Sequence, residues 1–146
     1  CRRDHPPGSR AMRVAIVDED AHRHSALPIC LAIEHGCAVD IFSTTDELES
    51  ALRESPRESF DVVVLDVMVA GSHGADSDYR YGGLTFARQL AQEVPLGTRP
   101  RIIFYTNAVG SDLWSRVMEV ASSIGATAVS KSADLSTIID AVVGDR

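Results

Sequence analysis

Phe60-Asp61-Val62-Val63-Val64-Leu65-Asp66 decides the fold of this 146-residue chain. A continuous run of aliphatic residues, mostly β-branched, stands between two aspartates. Such a run, with no polar alternation, reads as a strand buried on both faces, as in the interior of a parallel sheet. Asp66 then stands at the strand's carboxyl end, the edge at which open α/β sheets bind ligands.

The flanking sequence repeats the unit. Arg13-Val14-Ala15-Ile16-Val17 is a short apolar strand running into Asp18-Glu19-Asp20. Residues 21–35 predict a helix with Leu27 and Leu31 in register, Ile29, Cys30 and Ile33 widening its apolar side, Asp20 as its cap and a kink at Pro28. Residues 37–42 predict the second strand. Thr44-Thr45-Asp46-Glu47 is a capping-box pattern opening a helix that ends at Ser55-Pro56-Arg57. After Asp66, residues 67–83 read as a Gly- and Asp-rich loop, long for a βα connection, for which about 2–6 residues is usual. A helix over 84–94, a strand over 101–105, a helix over 112–124 capped by Ser111, a strand over 126–129 and a helix over 135–143 complete the series. Strands alternating with helices predict an α/β fold: a doubly wound, five-stranded parallel sheet with right-handed crossovers.

Composition narrows the function. Hydrophobic residues make up 45% and charged residues 24%, which is globular composition. A net charge of −7 argues against direct nucleic-acid binding, which needs clustered basic residues. No apolar run approaches the roughly 20 residues needed to span a bilayer, so no membrane role is expected. Three cysteines, irregularly spaced, fit neither a disulfide framework nor a zinc site, and a cytoplasmic location is the expectation. Residues 1–11 have linker, leader or tag composition, leaving 12–146 as the domain.

The chemistry lies at the strand ends: Asp18 and Glu19 after the first strand, Asp66 after the third, Thr106 after the fourth and Lys131 after the fifth. Lys131 is the one lysine in the chain; every other Lys or Arg position is arginine. Carboxylates gathered on one edge repel unless a cation intervenes, and an all-oxygen donor set suits Mg2+. Phosphoryl transfer needs such charge neutralisation, and an aspartate can attack phosphorus to form an acyl phosphate. Asp66 is then nucleophile and metal ligand, Lys131 pairs with a phosphoryl oxygen, and the Thr106 hydroxyl hydrogen-bonds the bound group.

Val17-Asp18-Glu19-Asp20, Val64-Leu65-Asp66, Tyr105-Thr106-Asn107 and Val129-Ser130-Lys131-Ser132, in that order across residues 12–143, resemble the receiver domain of bacterial two-component response regulators. The resemblance implies a flavodoxin-like sheet of order 2-1-3-4-5. It also implies phosphoryl transfer from a histidine kinase or histidine phosphotransfer protein, and a downstream effector protein or output domain, with homodimerisation as one option. Asp18 and Glu19 become the acidic pair for Mg2+, the Met68 backbone carbonyl a further metal ligand, Thr106 the switch hydroxyl and Lys131 the phosphate-binding lysine. On this reading the domain is a switch and not an enzyme with an external substrate. The sequence departs from the family after Met68, where Val69-Ala70 replaces the usual proline, at Asn107 in place of a very small residue, at Ala128 in place of an aromatic, and at Ser132 in place of proline.

Two alternatives stand beside this. One is a pseudo-receiver that keeps the fold as an interaction module without phosphorylation. The other is a small haloacid-dehalogenase-like phosphatase, in which Asp18 is the nucleophile of an Asp-x-Asp motif. Asp61 reads as a solvated boundary residue, and His22, His24 and His35 as solvated surface without partners at metal spacing. His73, Asp76, Asp78, Tyr79, Arg80 and Tyr81 read as a lid, a partner surface or a tolerated insertion. Trp114 and Met118 lie off the buried stripe of their helix, as a docking patch or a partly buried pair.

Overall fold

The structure is a computed structural model that describes residues 11–21, 25–54, 60–68, 82–94, 97, 99–107 and 112–144. Strands β1 (Arg13–Val17), β2 (Ala38–Phe42), β3 (Val62–Leu65), β4 (Arg101–Thr106) and β5 (Thr127–Ser130) alternate with helices α1 (Ala26–Ile33), α2 (Thr45–Glu54), α3 (Gly82–Glu93), α4 (Asp112–Ile124) and α5 (Leu135–Val143). All strand pairs are parallel, and the order is β2-β1-β3-β4-β5. This is the flavodoxin-like sheet, with β3 at its centre.

All four β3 side chains are buried, at 1% exposure or less. Val62 and Val64 face a core shared with Val14, Ile16, Ile103, Leu27 and Leu31 of α1, and Ile138 and Val142 of α5. Val63 and Leu65 face the opposite core, with Leu48 of α2, Leu84 and Phe86 of α3, and Val117 and Val120 of α4. Each of these strand residues stabilises the fold by roughly 1.5–3 kcal/mol through burial. The unbroken apolar pattern is thus the consequence of helices on both faces.

Several helix boundaries differ from expectation. The cap position of α1 is Ser25, not Asp20, whose backbone N–H instead donates to Asp18 Oδ1 at 2.9 Å. Pro28 is the third residue of that helix. Its missing N–H would have lacked an intrahelical partner in any case, so it does not interrupt the hydrogen bonds. Ile29 and Ile33, expected on the buried side, are 39% and 68% exposed; Leu27, Pro28 and Leu31 face inward. In α2 the Glu47 N–H donates to Thr44 Oγ1 at 3.2 Å, while the Glu47 carboxylate accepts from Ser43 N–H at 2.9 Å, so the capping box forms with its return bond one residue early. Ser111 and residues 55–57 lie outside the described set.

Gly82 and Gly83, assigned above to the loop, open α3. A Cβ at Gly83 would lie 2.8 Å from Val67 Cα and closer still to the Asp66 carbonyl oxygen. Helix α3 therefore abuts the end of β3 only because position 83 has no side chain. At the far end of the sheet, the Arg99 guanidinium donates to the carbonyls of Ala91 (3.0 Å) and Ile124, joining the ends of α3 and α4. Arg101 donates to Ala141 and Val142 in the last turn of α5, at 3.1 and 2.5 Å. Both supply positive charge where helix carbonyls lack partners. Gly125, at φ 72, closes α4, with the Ala126 N–H on Ala121 O at 2.8 Å.

Asp61 is not a solvated boundary residue. Its carboxylate accepts the Arg13 N–H at 2.8 Å, while its backbone N–H donates to Arg13 O and its carbonyl accepts from Arg101 N–H. It ties the starts of the three central strands together. No helix among the described residues is long and apolar enough to cross a membrane.

Candidate functional site

The backbone ladder continues past the strand ends and fixes the predicted residues there. Asp18 N–H donates to Phe42 O at 3.0 Å, Asp66 N–H to Val17 O at 2.9 Å, and Lys131 N–H to Thr106 O at 2.9 Å. Each aspartate then spends one carboxylate oxygen locally: Asp18 Oδ1 accepts from Asp20 N–H, and Asp66 Oδ1 from Met68 N–H at 3.1 Å. These short side-chain-to-backbone bonds set the carboxylate orientation. The two Oδ2 atoms are left to converge on Lys131 Nζ, which lies 2.5 Å from Asp18 and 3.1 Å from Asp66. Side-chain exposure of 11%, 13% and 19% for Asp18, Asp66 and Lys131 keeps the trio largely, but not wholly, out of water.

Burial opposes the charge on Lys131. The hydrogen bond to Asp18 and the charges of Asp66 and Asp18 outweigh it, so the ammonium is held above the usual lysine range. The same ammonium stands 5.8 Å from the centre of the Tyr105 ring, within reach of a cation–π attraction. Burial pushes the Tyr105 hydroxyl up, with the Lys131 charge lowering it and the Asp18 charge raising it.

Thr106 is fully buried at the end of β4, and its Oγ1 has no hydrogen-bond partner among the described residues. A buried hydroxyl without a partner costs about 1–3 kcal/mol, so this one is poised for an acceptor that reaches the sheet edge. Glu19 is exposed, and Met68 is 51% exposed. The fold therefore gathers Asp18, Asp66 and Lys131 directly, seats Thr106 on the same edge, and leaves Glu19 outside the contact. Among the described residues, one trio of His, Cys, Asp or Glu side chains brings its donor atoms within 4.8 Å of one another, and it is Cys30, Glu34 and His35 rather than these acids.

The donor set at Asp18 and Asp66 nevertheless fits Mg2+. Both carboxylates are at one edge, both point an oxygen at the same positive charge, and every donor is oxygen.

The departures from the receiver pattern have structural counterparts. Ala128 pairs in register with Phe104, which is fully buried, so the neighbouring ring is locked in the core. Asn107 is exposed. Ser132 closes the turn around Lys131: its N–H donates to Ser130 Oγ at 3.1 Å, and the two hydroxyls are 2.6 Å apart. Val69-Ala70 and the rest of residues 69–81, read above as a lid, a partner surface or a tolerated insertion, lie outside the described residues, as do His22 and His24. Met118 is 47% exposed and Trp114 half-buried. Sequence reasoning gave no role of its own to Tyr105, quoted only within its motif, or to Gly83, placed in the loop. The adjacent pair of glycines was the available signal for Gly83, but it reads equally well as a loop.

No protein-family model matches the chain, and no curated protein matches it. Solved structures do. A response regulator receiver protein from Burkholderia phymatum is 27% identical, with a TM-score of 0.66, over 92% of this chain and 97% of that one. A LuxR-family two-component response regulator from Aurantimonas sp. SI85-9A1 aligns at 23% identity and a TM-score of 0.68, over 92% and 84%. The BeF3-activated N-terminal receiver domain of Klebsiella pneumoniae RstA aligns at 18% identity and 0.60, over 88% and 93%. The resemblance and the sheet order read from sequence agree with these structures.

Proposed function

We propose that this response-regulator receiver domain takes up a phosphoryl group on Asp66 from a phosphohistidine and uses it to change its interaction surface. The observation that carries this reading is the convergence of Asp18 Oδ2 and Asp66 Oδ2 on Lys131 Nζ, on the same sheet edge as the Thr106 hydroxyl, which has no partner among the described residues. An Asp66 oxygen attacks phosphorus, a P–O bond forms, the P–N bond breaks, and the imidazole leaves with the electron pair and takes a proton from solvent. Lys131 passes from the carboxylates to a phosphoryl oxygen, offsetting the added charge. Thr106 Oγ1 donates to another phosphoryl oxygen and so gains the partner it lacks. That movement shifts the end of β4 and alters the face formed by α4 and β5.

Asp18 and Asp66, with Glu19 and the Met68 backbone carbonyl, would hold Mg2+. When bound, the ion neutralises the phosphoryl oxygens and aligns the group for in-line attack. The donor is a histidine kinase or histidine phosphotransfer protein, and the output is a downstream effector protein or output domain. The chain turns over no external substrate.

Incubating the full chain with Mg2+ and acetyl phosphate, followed by intact-mass measurement, tests the proposal. The wild type gains one phosphoryl group and Asp66→Asn gains none. Uptake that persists in Asp66→Asn and vanishes in Asp18→Asn would favour the phosphatase arrangement. A wild type that takes no phosphate from small donors or from histidine kinases is an interaction module only, and the switch reading fails.

A further inference from the structure

We propose that Cys30, Glu34 and His35 form a second cation site, for a divalent metal of the zinc class. Their thiol, carboxylate and imidazole donor atoms all lie within 4.8 Å of one another. Tetrahedral zinc with bonds of about 2.0–2.3 Å needs donors roughly 3.5 Å apart. Cys30 and Glu34 are one helical turn apart and so share a face, and His35 follows directly. Cys30 Sγ already contacts Glu34 Oε2 at 2.9 Å, so the two donors share one face.

The surroundings favour a cation. The three residues sit where α1 ends: Glu34 is the C-cap, its N–H bonded to Cys30 O at 2.9 Å, and no basic residue lies in the last helical turn. The negative end of the helix dipole attracts positive charge at such a position. Gly36, at φ 67, reverses the chain immediately afterwards, and the Cys37 N–H on Leu31 O at 3.0 Å holds the turn. The backbone presenting His35 is therefore fixed. Cys30 and Glu34 also border a groove of about 440 Å³ between α1 and α5, lined by Ile29, Ile33, Leu135 and Ile139, which lowers the local dielectric on one side. Three protein donors leave a fourth position for water or an outside ligand.

Sulfur and imidazole donors select zinc-like ions over Mg2+, which distinguishes this site from the oxygen-only edge at Asp66. The two are also on opposite edges of the sheet, because α1 runs back from the carboxyl end of β1 to the start of β2. On binding, the thiol proton passes to solvent and the thiolate becomes a ligand.

Titration of the full chain with Co2+, then displacement by Zn2+, tests the site. The wild type develops a thiolate-to-cobalt charge-transfer band at one equivalent, which excess Mg2+ does not remove. Cys30→Ser loses the band, and Glu34→Gln and His35→Gln weaken binding about tenfold or more. Unfolding curves of the metal-free variants, matching the wild type, establish that the loss is of ligands and not of fold. A band that survives Cys30→Ser, or disappears with Mg2+ or in Asp18→Asn, overturns the proposal.

Discussion

Lys131 carries the electrostatics of the site at the level of single residues. Its ammonium is bound by two carboxylates and its folded-state affinity for the proton is raised above that of the unfolded chain. The unfolded state therefore releases this proton first as pH rises. The stabilisation is complete below the unfolded lysine value of about 10.4, and is lost as pH climbs through the higher folded value. Urea unfolding should show a wild-type advantage over Lys131→Met that is constant between about pH 6 and 9 and shrinks in stronger alkali. The advantage is on the order of 2 kcal/mol, less than for a fully enclosed pair, because the site opens to water. An advantage that instead disappears towards pH 6 would contradict the assignment. Lys131 was legible in sequence because it is the sole lysine at a strand end; that Asp18 holds it more closely than Asp66 was not, because the choice depends on the turns after each strand.

At the scale of elements, the junction of β3 and α3 matters most. The Asp66 backbone is pinned from one side by β1 and approached from the other by Gly83, whose N–H donates to Val67 O at 3.2 Å. Gly83→Ala must push α3 off the strand end, because the obstructing atoms are backbone. We expect a loss of about 1–3 kcal/mol in stability and slowed phosphate uptake at Asp66, measured by denaturant unfolding and by mass. Unchanged values for both would show that the helix start can shift freely. Local signals located nearly every element: Thr44 and Glu47 marked the start of α2, and Gly125 the end of α4. They failed where a signal had two meanings. Pro28 reads as a breaker until its place in the first turn is known, and Gly82-Gly83 reads as a loop until the strand it abuts is known.

Across the whole molecule, stability is graded from the centre of the sheet outward. β3 has neighbours on both sides and cores on both faces, whereas no residue of edge strand β2 is fully buried. Native-state hydrogen exchange should find β3 amides opening only with global unfolding and β2 amides by smaller local events. Equal protection in the two strands would argue against this gradient. The sequence by itself determined the alternation of strands and helices, the central position of the 62–65 strand and the set of residues at the strand ends. Those features are written in local hydrophobic pattern and turn chemistry, which act within a few residues. Only the tertiary structure decided which side chains meet across the sheet: Lys131 with Asp18 and Asp66, Glu19 apart from them, and Asp61 as a tie between strands. The reason is that such contacts depend on side-chain direction and on the approach of segments far apart in the chain, neither of which a residue's own neighbours encode.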